Sequence, residues 1–131
     1  MSLDLVVDED TALLYTVNLN DGKLLEFDSV AKDYREVGST GGNRASGVAV
    51  DAERGKAYVA SQDSSDVRTV DLATGQVLKT VDAGAAALNV AVDAEAGLVY
   101  TAIFGGSSVL VTDADTGEKI GHVNVGVSPT T

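Results

Sequence analysis

The stretch GVAVDAERGKAYVA, residues 47–60, returns as NVAVDAEAGLVYTA at residues 89–102, with nine of fourteen letters identical. Four markers carry the same spacing through the whole chain. An aspartate ends one strand-like run at Asp8, Asp51 and Asp93, and a tyrosine follows seven residues later at Tyr15, Tyr58 and Tyr100. A second aspartate falls at Asp28, Asp71 and Asp113, and a glycine at Gly41, Gly84 and Gly126. The steps are 43 and then 42 residues, and the extra residue lies between Gly41 and Asp51, ten residues against the nine of Gly84 to Asp93. Self-similarity at such a period means one supersecondary unit used three times, each unit burying its apolar faces against the next.

Inside the second unit, GVAV and AYVAS are split by DAERGK, VRTVD follows QDSSD, and QVLKTV follows LATG. Short runs rich in Val, Tyr and Thr between Gly, Asp and Ser clusters are strand signals, and no window holds a capped helical stripe. Four antiparallel strands every 42 residues form a propeller blade. The expected fold is therefore all-β: one domain, 1–131, of three four-stranded antiparallel blades at about 3–43, 47–86 and 89–128. Tyr58 and Ala60 lie on one face of their strand, and Ala57 and Val59 on the other. A sheet apolar on both sides expects a neighbour on each.

AYVASQDSSDVRTVDLATGQVLKTVDAG followed by VAVD resembles the YVTN-type β-propeller repeat, with its tyrosine-led strand, its S..V.V.D..TG.V hairpin and a glycine before the next blade. The match is close over residues 47–126. In the first blade DSVAKDYREV replaces the ATG turn and departs from the pattern. The resemblance implies a WD40-like architecture and a cell-envelope or extracellular setting. It leaves the function open, since propellers of this kind serve as binding, surface-layer and enzyme scaffolds.

A propeller ring closes with roughly four to eight blades, so three leave it open. Leu5, Val7, Leu13, Leu14, Tyr15 and Val17 in the first blade, and Val99, Ile103, Val109, Val111 and Ile120 in the third, leave no polar capping face at either end of the array. Two copies joined head to tail, first blade on third, would complete a six-bladed homodimer. The alternative is a fragment, natural or engineered, of a longer propeller.

Twenty acidic against nine basic residues give a net charge of −11. That balance repels phosphate backbones and anionic lipid, which argues against nucleic-acid and membrane roles. No apolar run has the length of a membrane span, and MSLDLVVDED lacks the layout of a secretion signal. The absence of cysteine removes disulfides and thiolate chemistry.

With the VAV strand innermost, the polar loops gather on one face around the channel mouth. Asn43, Arg44, Asn89 and Ser128 are the ligand candidates there, and Asn18, Asn20, Gln62, Asp63 and Phe104 line the neighbouring loops. A convergent set of loops on a rigid scaffold suits a protein or a small ligand. The aspartates gather on the opposite face, where Asp caps a turn by accepting backbone N–H groups. DADTGE at 113–118 places glycine fifth rather than sixth and reads as a turn, not a calcium loop. His122 is the only histidine, so no histidine-based catalytic set recurs. These readings predict a non-catalytic binding or assembly module without metal or cofactor. A calcium-dependent lactonase-like hydrolase with its site at the channel mouth, or an isolated propeller fragment without independent function, are the competing readings.

Overall fold

The structure, a computed structural model, describes residues 4–8, 11–104 and 108–124. Twelve strands follow one another in three sheets among these residues. Blade 1 holds β1 (Asp4–Asp8), β2 (Leu13–Val17), β3 (Lys23–Asp28) and β4 (Asp33–Ser39). Blade 2 holds β5 (Ala45–Asp51), β6 (Lys56–Ser61), β7 (Asp66–Asp71) and β8 (Val77–Asp82). Blade 3 holds β9 (Ala87–Asp93), β10 (Leu98–Ile103), β11 (Ser108–Asp113) and β12 (Lys119–Asn124). Every sheet is an antiparallel meander in chain order, so no blade borrows a strand. Gly126, Ser128 and the outer bounds expected at residues 3 and 128 lie outside the described residues.

The recurring second aspartate forms the third hairpin of each blade by the same chemistry. Asp28 Oδ1 accepts the N–H groups of Val30 and Ala31, Asp71 Oδ1 those of Ala73 and Thr74, and Asp113 Oδ1 those of Asp115 and Thr116. The turn ends on a left-handed residue whose N–H returns to the aspartate carbonyl: Lys32 (φ 57), Gly75 (φ 76) and Gly117 (φ 76). The departure DSVAKD in blade 1 therefore keeps the turn and only replaces its glycine with lysine.

Blade 2 is sandwiched. Val48, Ala57, Val59 and Val70 pack against Tyr15, Val17, Leu24 and Val37 of blade 1. Its opposite face turns to blade 3, with Ala49 and Tyr58 against Val99 and Ala114, and Ala60 and Val67 against Ile103 and Leu110. Ala57, Tyr58, Val59 and Ala60 are each at most 1% exposed, the two-sided burial that their composition requires. The first strands of neighbouring blades, β1 with β5 and β5 with β9, pack on each other and so lie innermost. Gly47 sits at that convergence, where a Cβ would meet the Leu88 carbonyl and Asn89 Cα.

Strand register divides the apolar residues of the outer blades more finely than their sequence does. Leu13, Tyr15 and Val17 belong to the blade 1–blade 2 core, and Val99 and Ile103 to the blade 2–blade 3 core. The pairings Val7–Leu14–Phe27 and Leu5–Thr16–Leu25 form the other face of blade 1. Ala91–Tyr100–Val111 and Asn89–Ala102–Val109 form the other face of blade 3.

Candidate functional site

The loop rim brings four of the sequence candidates together. Gln62 N–H donates to the Arg44 carbonyl at 2.9 Å, Asp63 N–H to the Asn43 carbonyl at 3.0 Å, and Asn43 N–H to Ser64 Oγ at 3.2 Å. Arg44 is exposed, left-handed (φ 56) and paired with Asp63 at 3.7 Å. Asn18 Oδ1 accepts from Asn20 N–H within the β2–β3 loop, and that loop is tied to the next connection by Thr40 N–H and Oγ1 donating to the Gly22 carbonyl. Phe104 is exposed and anchored by its N–H to the Ala86 carbonyl. Asn89 stands inside β9, not in the connecting loop, on the outward face of blade 3. Ser128 lies outside the described residues. Among the described residues no group of three or more carboxylate, imidazole or thiolate side chains is placed to hold a metal ion.

The two internal seams carry polar staples that composition alone did not reveal. At the first, Arg35 pairs with Glu26 at 2.9 Å and donates to the Leu72 carbonyl of blade 2 at 3.2 Å. Arg68 grips Asp66 through both carboxylate oxygens and donates to the Thr40 carbonyl of blade 1 at 2.6 Å. At the second, Arg54 pairs with the buried Asp51 at 2.6 Å and with Asp115 of blade 3 at 2.7 Å, and donates to the Ala94 carbonyl. Lys56 donates to the Asp115 carbonyl beside it. These hydrogen bonds to Asp115 and Asp51 push the Arg54 guanidinium pKa above its ordinary range, and it stays charged. The missed signal was that Arg54 and Arg68 each stand once where the sister repeats have uncharged residues: Thr11 and Ala96 for Arg54, Leu25 and Leu110 for Arg68.

The tyrosine marker has a seam role too. Tyr58 Oη donates to the Ala114 carbonyl of blade 3 at 2.7 Å. Burial first, and the nearby Asp51 charge second, push its phenol up to about 12. Tyr15 Oη donates instead to Glu26 within its own blade at 2.8 Å, and burial with this contact raises its pKa still further. The Tyr100 hydroxyl has no hydrogen-bond partner among the described residues.

The outward faces of blades 1 and 3 are open. Leu5 is 56% and Val7 53% exposed, with Phe27 at 38% on the same face. On blade 3, Tyr100 is 36% exposed and borders a shallow depression of about 220 Å³ with Asn89, Ala91, Ala102 and Val109. A contiguous apolar sheet face in water marks an interaction surface.

No family model matches the sequence, and no curated protein matches it. Solved structures do. The chain is similar to one of Kuenenia stuttgartiensis hydrazine synthase, with a TM-score of 0.80 and 20% identity over 90% of this chain and 34% of that one. It is similar to a chain of a nidogen/laminin complex, at 0.75 and 13% over 90% and 45%. A third is Saccharomyces cerevisiae Sqt1, at 0.72 and 10% over 90% and 34%. The chain thus spans between about a third and under half of each, and at such identities the likeness is one of fold. With the three antiparallel sheets, it defines the protein as an all-β chain of β-propeller blades.

Proposed function

We propose that the chain is a non-catalytic β-propeller module of the YVTN type that pairs with a second copy into a six-bladed ring and presents its loop rim to a protein or small ligand. One observation carries this reading. The open face of blade 1 is the repeat equivalent of the blade 2 face that packs on blade 1, and the open face of blade 3 is the equivalent of the blade 2 face that packs on blade 3. The two uncovered surfaces are therefore the two halves of a seam that the chain already makes twice. Head-to-tail contacts of this kind close when the rotation per blade completes a circle, and three blades are half of six.

Two substitutions favour this pairing. Where the internal seams use Arg68 and Arg54, the open faces carry Leu25 and Ala96, so the closing seam has neither arginine. Lasting interfaces are more apolar than transient ones. On the rim, Arg44 makes an anionic group the favoured small ligand.

Sedimentation equilibrium tests the ring. Twice the 13.4 kDa chain mass at micromolar concentration is the expected result, and a single-chain mass overturns it. A second reading follows from the partial coverage of the solved propellers: the same faces close on further blades of a longer chain. In that case the chain alone stays monomeric, and joining two copies in tandem produces a stable single-chain ring.

A further inference from the structure

The self-association reading leaves open what fixes the register of the closing seam, and an exchange of residues at its rim supplies an answer. In each blade the third hairpin ends on one left-handed residue, and in blades 2 and 3 the outer strand of the preceding blade lies across from it. At the first seam the left-handed residue is Gly75, where a Cβ would overlap the Val37 carbonyl and crowd Gly38. The outer strand there contributes Arg35, paired in register with Glu26, and its guanidinium reaches over the same turn to the Leu72 carbonyl. At the second seam the residue is Gly117, where a Cβ would meet Lys79 Cβ at 2.8 Å. Lys79 has the same register in blade 2, opposite Thr69. Each internal seam therefore holds one glycine in the turn and one long cationic side chain on the strand beside it.

The open faces hold the same two items with their places exchanged. Blade 1, which receives the closing contact, ends its turn on Lys32, left-handed at φ 57 although it is not glycine. Blade 3 places Gly121 at the register of Arg35 and Lys79, opposite Val111, and nothing lies within 4 Å of a Cβ built there. A lysine in the first internal turn would strike the Val37 backbone, and one in the second would strike the Lys79 side chain and the Thr69 hydroxyl. At the closing seam, built like the second, the Lys79 position is Gly121 and the Thr69 position is Val111, so the long side chain that blocks the turn is gone.

We propose that Lys32 of one copy lies over Gly121 of the second, twice in the ring, and that this exchange selects the six-bladed register. In the same register Tyr100 Oη donates to the Ser29 carbonyl of the second copy, as Tyr58 donates to Ala114, the repeat equivalent of Ser29. The interaction surface is thus specific for a second copy of this chain and not for an arbitrary apolar partner.

The test is a size-and-charge swap read by solution mass, with circular dichroism confirming that each variant is folded. The wild type is expected as a dimer. Gly121→Lys, which sets two lysines against each other, is expected to weaken dimerisation at least tenfold. Lys32→Gly with Gly121→Lys rebuilds the arrangement of the second seam and is expected to return the dimer to within threefold of wild type. A Gly121→Lys variant that dimerises like wild type, or a double variant no better than the single one, overturns the exchange while leaving self-association intact. A monomeric wild type overturns both. Since the chain has no cysteine, Lys32→Cys with Gly121→Cys adds an independent readout. Oxidation is expected to yield a covalent dimer from the pair and none from either single variant, and failure of the pair to cross-link counts against the contact.

Discussion

Asp113 and Tyr58 show two opposite ways in which a single side chain ties this fold to pH. Asp113 accepts the N–H groups of Thr116 and Asp115, which favour its charged form and hold its pKa below the ordinary carboxylate range. A carboxylate depressed in the folded state stabilises above its unfolded pKa, and that contribution is lost as pH falls through the folded value. Asp113→Asn is therefore expected to be less stable than wild type at pH 7, with the gap narrowing below about pH 4; urea titrations across that range measure it. Tyr58 runs the other way. Its phenol is raised from 10 to about 12, so its contribution is complete below pH 10 and lost as pH rises toward 12. Tyr58→Phe removes the bond to the Ala114 carbonyl and is expected to cost about 1–2 kcal/mol at pH 7, with a smaller alkaline loss than wild type. A variant as stable as wild type by urea unfolding would show that the seam gains nothing from the hydroxyl.

At the level of the element, the turns within blades and the connections between them are where backbone freedom and blade stacking meet. Gly75 and Gly84 both have positive φ, 76° and 83°. An alanine in that conformation costs about 1–2 kcal/mol from backbone sterics alone. Nothing lies within 4 Å of a Cβ at Gly84, so Gly84→Ala is expected to show that cost and no more. At Gly75 the new Cβ runs into the Val37 carbonyl of the neighbouring blade. Gly75→Ala is expected to lose clearly more stability than Gly84→Ala, and the difference between their urea midpoints measures how tightly the first seam is closed. Equal losses would mean that the blades separate easily at that turn.

For the whole molecule the decisive surfaces are the two that this chain leaves uncovered. A dimer closed through Leu5, Val7, Phe27 and Tyr100 gains stability by mass action, so its unfolding temperature is expected to rise with protein concentration. Because Leu25 and Ala96 replace the seam arginines, dimer mass is expected to hold between low and high salt, unlike a surface held by exposed ion pairs. Calcium and chelator are expected to leave the unfolding temperature unchanged; a reproducible rise with calcium would bring the lactonase-like reading back. Light scattering and thermal melts at two concentrations and two salt strengths cover these outcomes.

The repeat by itself determined the blades. Steps of 43 and 42 residues with Asp, Tyr, Asp and Gly in phase point to one arrangement of strands and turns, because the markers answer local needs: the aspartates cap turn amides, the tyrosine sits within a strand, and Gly41 and Gly84 take left-handed corners. DSVAKD kept its turn without glycine for the same reason, since the aspartate bonds and the returning Lys32 N–H come from the local chain. Which apolar residues are core and which are open, by contrast, was decided only by stacking. Tyr15, Tyr58 and Tyr100 are the same letter at the same phase, yet one bonds to Glu26, one crosses to blade 3, and one faces water. Alternation along a strand assigns faces but cannot say whether a neighbour stands against them, and the arginines at the seams join residues as far apart as Arg54 and Asp115, a separation no local pattern spans.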